Sequence, residues 1–103
     1  MKRVYLGPRL GRDIDNAADF YEMESATLAM RFMAAFGDAV RLIRAHPKIG
    51  SPIYGVMRDF KDMRALSTNV FPYLLFYTEF RGRLILVRLL HMSRNLPIAF
   101  RRS

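Results

Sequence analysis

His91 stands where an apolar run over residues 84–90 gives out, and Arg94 follows three positions later. An imidazole exchanges a proton near neutral pH, and a guanidinium can stabilise charge developing in a transition state. Together the two suit phosphodiester cleavage. Arg64 is a further cation that could join them, at the end of a basic run with Arg58 and Lys61. Each residue also has a plainer role, and the plainer role is the commoner one. A histidine at a strand end usually closes the sheet by a hydrogen bond, and a short basic run is usually a solvated loop. Arg88 interrupts the apolar run. Simple alternation groups it with Leu84, Leu86 and Leu90, opposite Ile85, Val87 and Leu89. Either that face is open to a ligand or partner, or Arg88 pairs at the core edge with an acid such as Glu79. Tyr54, Tyr73 and Tyr77 could stack on bases. Tyr73 and Tyr77 share strand parity with Leu75, however, so an aromatic core explains them better. The chain has no glycine-rich phosphate loop, no metal-ligand cluster and no serine nucleophile motif.

The element that must position these groups is a hairpin. Residues 71–80 and 84–91 are both rich in aromatic and branched side chains, and Arg81-Gly82-Arg83 lies between them. Gly82 can take the positive φ of a tight reversal, and the flanks suit a pleated surface. Pro72 falls at a strand start, where its missing donor is tolerated. Upstream, residues 63–68 alternate weakly and predict one more strand. Residues 47–62 carry Pro47, Gly50, Pro52 and Gly55 and read as a loop. The first half reads as a short strand over residues 3–6, then two helices. Ile14, Ala17, Ala18 and Tyr21 stripe a helix over residues 9–23, with Asp13, Asp15, Asp19 and Glu22 mostly off the stripe. Asp13 and Asp15 near its start also suit the helix dipole. Ser25 is a natural N-cap for a second helix to residue 45, striped by Ala29, Phe32, Met33, Phe36, Val40 and Ile43. Met23, Met30 and Met33 read as core, although methionine surfaces also adapt to a partner. With almost no linker, the two helices should form an antiparallel pair. Strands segregated from a helical pair imply a two-layer α+β fold: an N-terminal strand and helical hairpin on a small, mostly antiparallel sheet.

The chain has 103 residues, 51% of them hydrophobic, which predicts one domain over residues 1–103 with a real core. No apolar run approaches the roughly 20 residues that cross a membrane. The charged N-terminus lacks an apolar stretch after it, so no signal peptide is expected. The absence of cysteine excludes disulfides and thiolate chemistry and fits a cytoplasmic location. Two histidines alone make no convincing zinc site, and no cofactor is expected. Charge is more telling. Fourteen arginines and three lysines against nine acids give +8. Residues 13–38 hold six acids and one base, whereas residues 58–102 hold nine bases and three acids. An arginine-dominated half favours bidentate contacts to phosphate or carboxylate, as a solvated surface or as a face for a nucleic acid or an acidic protein.

Taken together, the opening strand, the helical pair, His46-Pro47 with Gly50 after it, Met63-Arg64-Ala65-Leu66, Phe71-Pro72-Tyr73-Leu74-Leu75-Phe76-Tyr77 and Val87-Arg88-Leu89-Leu90-His91-Met92-Ser93-Arg94 resemble the RelE/ParE toxin superfamily of type II toxin–antitoxin modules. The resemblance spans roughly residues 3–97 and rests on the order and spacing of these motifs. It implies one of two activities. RelE-like members are ribosome-dependent endoribonucleases that cut mRNA. Their arginine after the last strand is met by Arg94, but their central-strand arginine falls on Leu74. Their lysines fall near Ala65 and Ser67, and their tail tyrosine near Phe100. Arg64 and His91 could substitute. ParE-like members lack that set and inhibit DNA gyrase, blocking replication, and the Pro-Tyr hairpin start and Leu-His-x-x-Arg ending resemble this branch. The expectation is therefore a ParE-like, non-enzymatic gyrase inhibitor, with a RelE-like mRNA interferase using Arg94, His91 and Arg64 as the alternative. Both imply a cognate antitoxin wrapped around the toxin. Arg58, Arg64, Arg88, His91, Met92 and Arg94 are the candidate contacts to target or antitoxin.

Overall fold

A computed structural model describes residues 2–53 and 62–93. The elements run β1 (Val4–Leu6), α1 (Leu10–Glu22), α2 (Ala26–Ala45), β2 (Ser51–Pro52), β3 (Arg64–Ser67), β4 (Tyr73–Phe80) and β5 (Arg83–His91). Among the described residues the strands form one sheet in the order β1-β5-β4-β3-β2. Pairing is antiparallel except at β1, which lies parallel to β5. This is the expected α+β architecture, a helical pair on a mostly antiparallel sheet. It carries one strand that the sequence reading misses. β2 falls inside the expected loop and pairs Pro52 with Arg64. A proline fits there because β2 is an edge strand, where no donor is required on the open side.

The hairpin turn is tighter than glycine alone predicts. Phe80 pairs with Arg83, leaving two central residues, and both Arg81 (φ 52) and Gly82 (φ 76) are left-handed. Two positive φ values give the reversal the twist that antiparallel strands need. Arginine holds the first of these positions at a cost on the order of 1 kcal/mol.

Ser25 is extended and caps α2, its hydroxyl accepting the Leu28 N–H at 3.0 Å. From α2, Phe32 and Ile43 are fully buried and Ala39 nearly so. Phe32 meets Tyr21 of α1 and Phe71 and Tyr73 ahead of and in β4, with ring centroids 5.2, 5.4 and 5.4 Å away. This aromatic cluster joins both helices to the sheet. The methionines do not share it. Met23 is 87% exposed, Met30 is 72% exposed and Met33 is 41% exposed. The core stripe of α2 runs one position further round, through Ala39, so the side bearing Met30 and Met33 is turned from the sheet.

The stretch around Arg88 corrects the alternation argument at Leu89 and Leu90. Phe76 pairs with Arg88 but its neighbour Tyr77 pairs with Leu86, so Val87 is one residue too many. Such a bulge reverses the side-chain parity beyond it. Leu84, Leu86 and Leu89 accordingly join the cluster under the helices, while Ile85, Val87 and Leu90 join a second cluster with Met63, Ala65 and Phe76 on the other face. Arg88 is not on an open face. It is 3% exposed, and its Nε and Nη2 donate to the two carboxylate oxygens of Asp13 at 2.7 and 3.0 Å. The Leu89 N–H donates to the same carboxylate at 3.0 Å. Asp13 therefore belongs to the buried stripe with Leu10, Ala17 and Tyr21. The other candidate for Arg88, Glu79, is engaged by Lys2 at 2.6 Å.

Candidate interaction surface

The expected site residues divide into three places. Arg58 and Arg94 lie outside the described residues, as do Lys61 and Tyr54. Arg88 is interior. Arg64, His91 and Met92 remain, on two separate corners of the sheet.

Arg64 opens β3 and reaches back to the segment after α2. Its Nη1 donates to the Gly50 carbonyl at 2.7 Å and the Lys48 carbonyl at 3.2 Å. Tyr77, its cross-strand partner, works on the same segment: its hydroxyl donates to the Pro47 carbonyl and accepts the Gly50 N–H, both at 2.8 Å. Burial pushes the Tyr77 phenol above its ordinary value, with the Gly50 N–H and the nearby Arg64 charge pulling the other way. The hydroxyl therefore stays protonated and able to donate. Arg64 and Tyr77 thus act as a clamp on residues 47–50. They border a polar hollow of about 230 Å³ together with Lys48, Asp62 and Glu79. Gly50 is the tight point of the clamp. A Cβ there would meet the Tyr77 hydroxyl at 2.7 Å and the Ala65 carbonyl at 3.0 Å. Gly50→Ala is expected to lower stability by about 1–3 kcal/mol, as overpacking in a closed site does. Chemical denaturation measures it, and a change below roughly 0.5 kcal/mol, the level of an ordinary surface substitution, would mean the clamp is loose.

His91 closes β5 opposite Tyr73, its ring edge-on to the tyrosine at 5.2 Å. Nδ1 accepts the Ser93 N–H at 3.1 Å and lies 2.8 Å from the Ser93 hydroxyl. With Nδ1 accepting a backbone proton, the neutral ring carries its own proton on Nε2 and presents a donor, not a base. Met92 is about half exposed beside it, and its N–H continues the pairing by donating to the Pro72 carbonyl at 2.9 Å. A hollow of about 230 Å³ lies here, lined by Asp13, Asn16, Phe20, Tyr73 and His91 among others.

The two corners do not converge. Arg64 pairs with Tyr77 and His91 with Tyr73, on opposite sides of β4. Four residues along a strand and two strand spacings across put their backbones about 16 Å apart. Arg64 and His91 do not share a reacting centre. On β4, Leu74 packs against the second apolar cluster. Among the described residues no group of three or more His, Asp or Glu side chains could hold a metal, and no helix is long and apolar enough to cross a membrane. Arg64 and His91 thus belong to two separate surfaces of the sheet.

The family model described as "ParE toxin of type II toxin-antitoxin system, parDE" matches residues 4–96. The chain belongs to this family. Its fold is also that of a solved ParE-type structure, the chromosomal ParDE toxin–antitoxin system from P. aeruginosa. That likeness has a TM-score of 0.73 at 13% identity and covers 90% of this chain and 98% of that one. Among curated proteins, none matches the chain. The ParE match agrees with the ending Leu90-His91-Met92-Ser93-Arg94 and with the helical pair that precedes the sheet. What the sequence reading misses is the internal wiring, Asp13 with Arg88 and Gly50 with Tyr77. Asp13 carries a signal in hindsight, since it lies three and four positions from the apolar Leu10 and Ala17.

Proposed function

We propose that this ParE-family toxin inhibits DNA gyrase and is held inactive by a cognate antitoxin, acting by binding and not by catalysis. The family match over residues 4–96 carries this reading. It is supported by the separation of Arg64 from His91 and by the apolar Leu74 where the nuclease branch has a cation. A transition state of phosphodiester cleavage needs converging cations and a proton acceptor. Here Arg64 is committed to two backbone carbonyls, and His91 accepts a backbone proton at Nδ1.

The antitoxin would cover apolar surface that this chain leaves open on its helical pair, where Phe20, Met23 and Met30 are exposed. The acidic composition of residues 13–38 favours a segment bearing lysine or arginine there.

The test is purified protein with gyrase and relaxed plasmid. Supercoiling should stop at micromolar toxin, and an equimolar antitoxin should restore it. Unimpaired supercoiling, together with mRNA cleavage on programmed ribosomes, would replace this reading with the interferase.

A further inference from the structure

The end of the sheet remote from His91 carries a cationic hollow that the family assignment leaves without a role. Three separate elements contribute. Lys2 and Arg3 lead into β1, Arg44 lies in the last turn of α2, and Arg81 and Arg83 flank Gly82 in the hairpin turn. Together they line a hollow of about 600 Å³ whose lining contains no acidic residue. Lys2 is paired with Glu79. The four arginines have no ion pair among the described residues, and the Arg44 Nε is buried with no hydrogen-bond partner there. The dipole of α2 accounts for a cation in its last turn, but Arg3, Arg81 and Arg83 come from the sheet. Arg81 also holds a left-handed position that glycine or asparagine would occupy with less strain.

Two aromatic rings lie outside the lining but against two of its arginines. Tyr5, 39% exposed, lies under the Arg83 guanidinium at 5.5 Å, and Phe80, 55% exposed, lies under that of Arg81 at 5.2 Å. Phe80 pairs with Arg83, and Tyr5 pairs with Ile85, two residues along the same strand. The order across the sheet is therefore ring, cation, ring. Clustered guanidiniums without carboxylates repel one another until an anion enters. Exposed rings beside them give flat surfaces for stacking, which a carboxylate-bearing peptide would not use.

We propose that this end of the sheet binds single-stranded nucleic acid, with phosphates in the arginine hollow and bases on Tyr5 and Phe80. Cations that track the backbone beside stacking rings are the general means of holding unpaired strands. The inference does not depend on gyrase being the target, and it concerns a surface apart from His91 and Arg64.

The test is fluorescence anisotropy of the full chain with a labelled 12-nucleotide single strand and the matching duplex, from 50 to 200 mM salt. The single strand should bind more tightly than the duplex. Arg81→Asn with Arg83→Ser should weaken single-strand binding about tenfold and flatten the salt dependence by about 1.4 in slope, two phosphate contacts' worth. Asparagine tolerates the left-handed turn, so this variant should melt no lower than the parent, which separates lost binding from lost folding. Tyr5→Ala should cost the single strand about fivefold, at the low end for one stacked base, and leave the duplex unchanged. An equal loss from Arg12→Ser with Arg31→Ser, on the helices, would mean that net charge alone is read and would overturn the assignment. So would equal affinity for duplex, competition by polyglutamate as effective as by unlabelled strand, or no binding at 50 mM salt.

Discussion

Asp13→Ala is expected to remove about 3–5 kcal/mol of folding stability, read as a lower urea midpoint at unchanged slope. The size follows from what is left behind. Arg88 would keep its charge inside the protein after losing the Asp13 carboxylate, and the Leu89 N–H would lose its acceptor too. Breaking one side of a buried pair is costly because the charge that loses its counter-ion cannot return to water without opening the structure. Removing both charges is a different matter. Asp13→Leu with Arg88→Met replaces the pair by apolar groups and should return to within about 2 kcal/mol of the parent, because the desolvation penalty of the pair offsets most of its attraction. A single substitution costing less than about 1 kcal/mol, the level of an exposed pair, would show that Arg88 reaches solvent. Most domains hold only about 5–15 kcal/mol in total, so Asp13→Ala should also lower the yield of soluble toxin.

Phe32→Ala is expected to cost a comparable 3–5 kcal/mol, the range for truncating a buried phenylalanine. Its ring is fully buried among Tyr21, Phe71 and Tyr73, and those neighbours belong to α1 and to the sheet. None can move into the void without pulling on its own element, so the cavity would stay largely open. Phe36→Ala, at a partly buried position one turn further on, should cost distinctly less. Thermal melts of the two variants side by side check the ranking, and equal losses would mean that the aromatic cluster is not the joint between the layers.

These two residues also show what periodicity can and cannot reveal. Phe32 is legible because it sits on a 3.6-residue stripe, and the same reasoning finds the helices, the Ser25 cap and the hairpin. Arg88 is rightly grouped with Leu84 and Leu86, but Leu89 and Leu90 are exchanged, because strand alternation assumes one residue opposite one. The bulge at Val87 breaks the assumption, and nothing in Leu84-Ile85-Leu86-Val87 announces it. Asp13 is misplaced for a related reason: a charge on a helix reads as exposed unless its partner, 75 residues away, is known. β2 escapes notice because two residues at an edge carry too little pattern to register. The arginine hollow lies in three stretches that look unrelated until the topology brings their ends together. Of the contact candidates, His91 and Met92 lie at the end of β5 as the strand pattern implies, and Arg64 is recognised as a cation but not as a clamp.

The parallel pairing of β1 with β5 bears on how the molecule comes into being. Val4 lies beside Leu84, and the carboxylate that seats Arg88 is near the start of α1. Both helices and the other four strands therefore precede β5, the strand that joins β1 to β4. Until β5 emerges, β1 has no ladder, β4 lacks one side and Asp13 faces nothing. Contacts this distant along the chain are slow to form. The β1–β5 ladder and the Asp13–Arg88 pair can therefore close only once β5 has been synthesised.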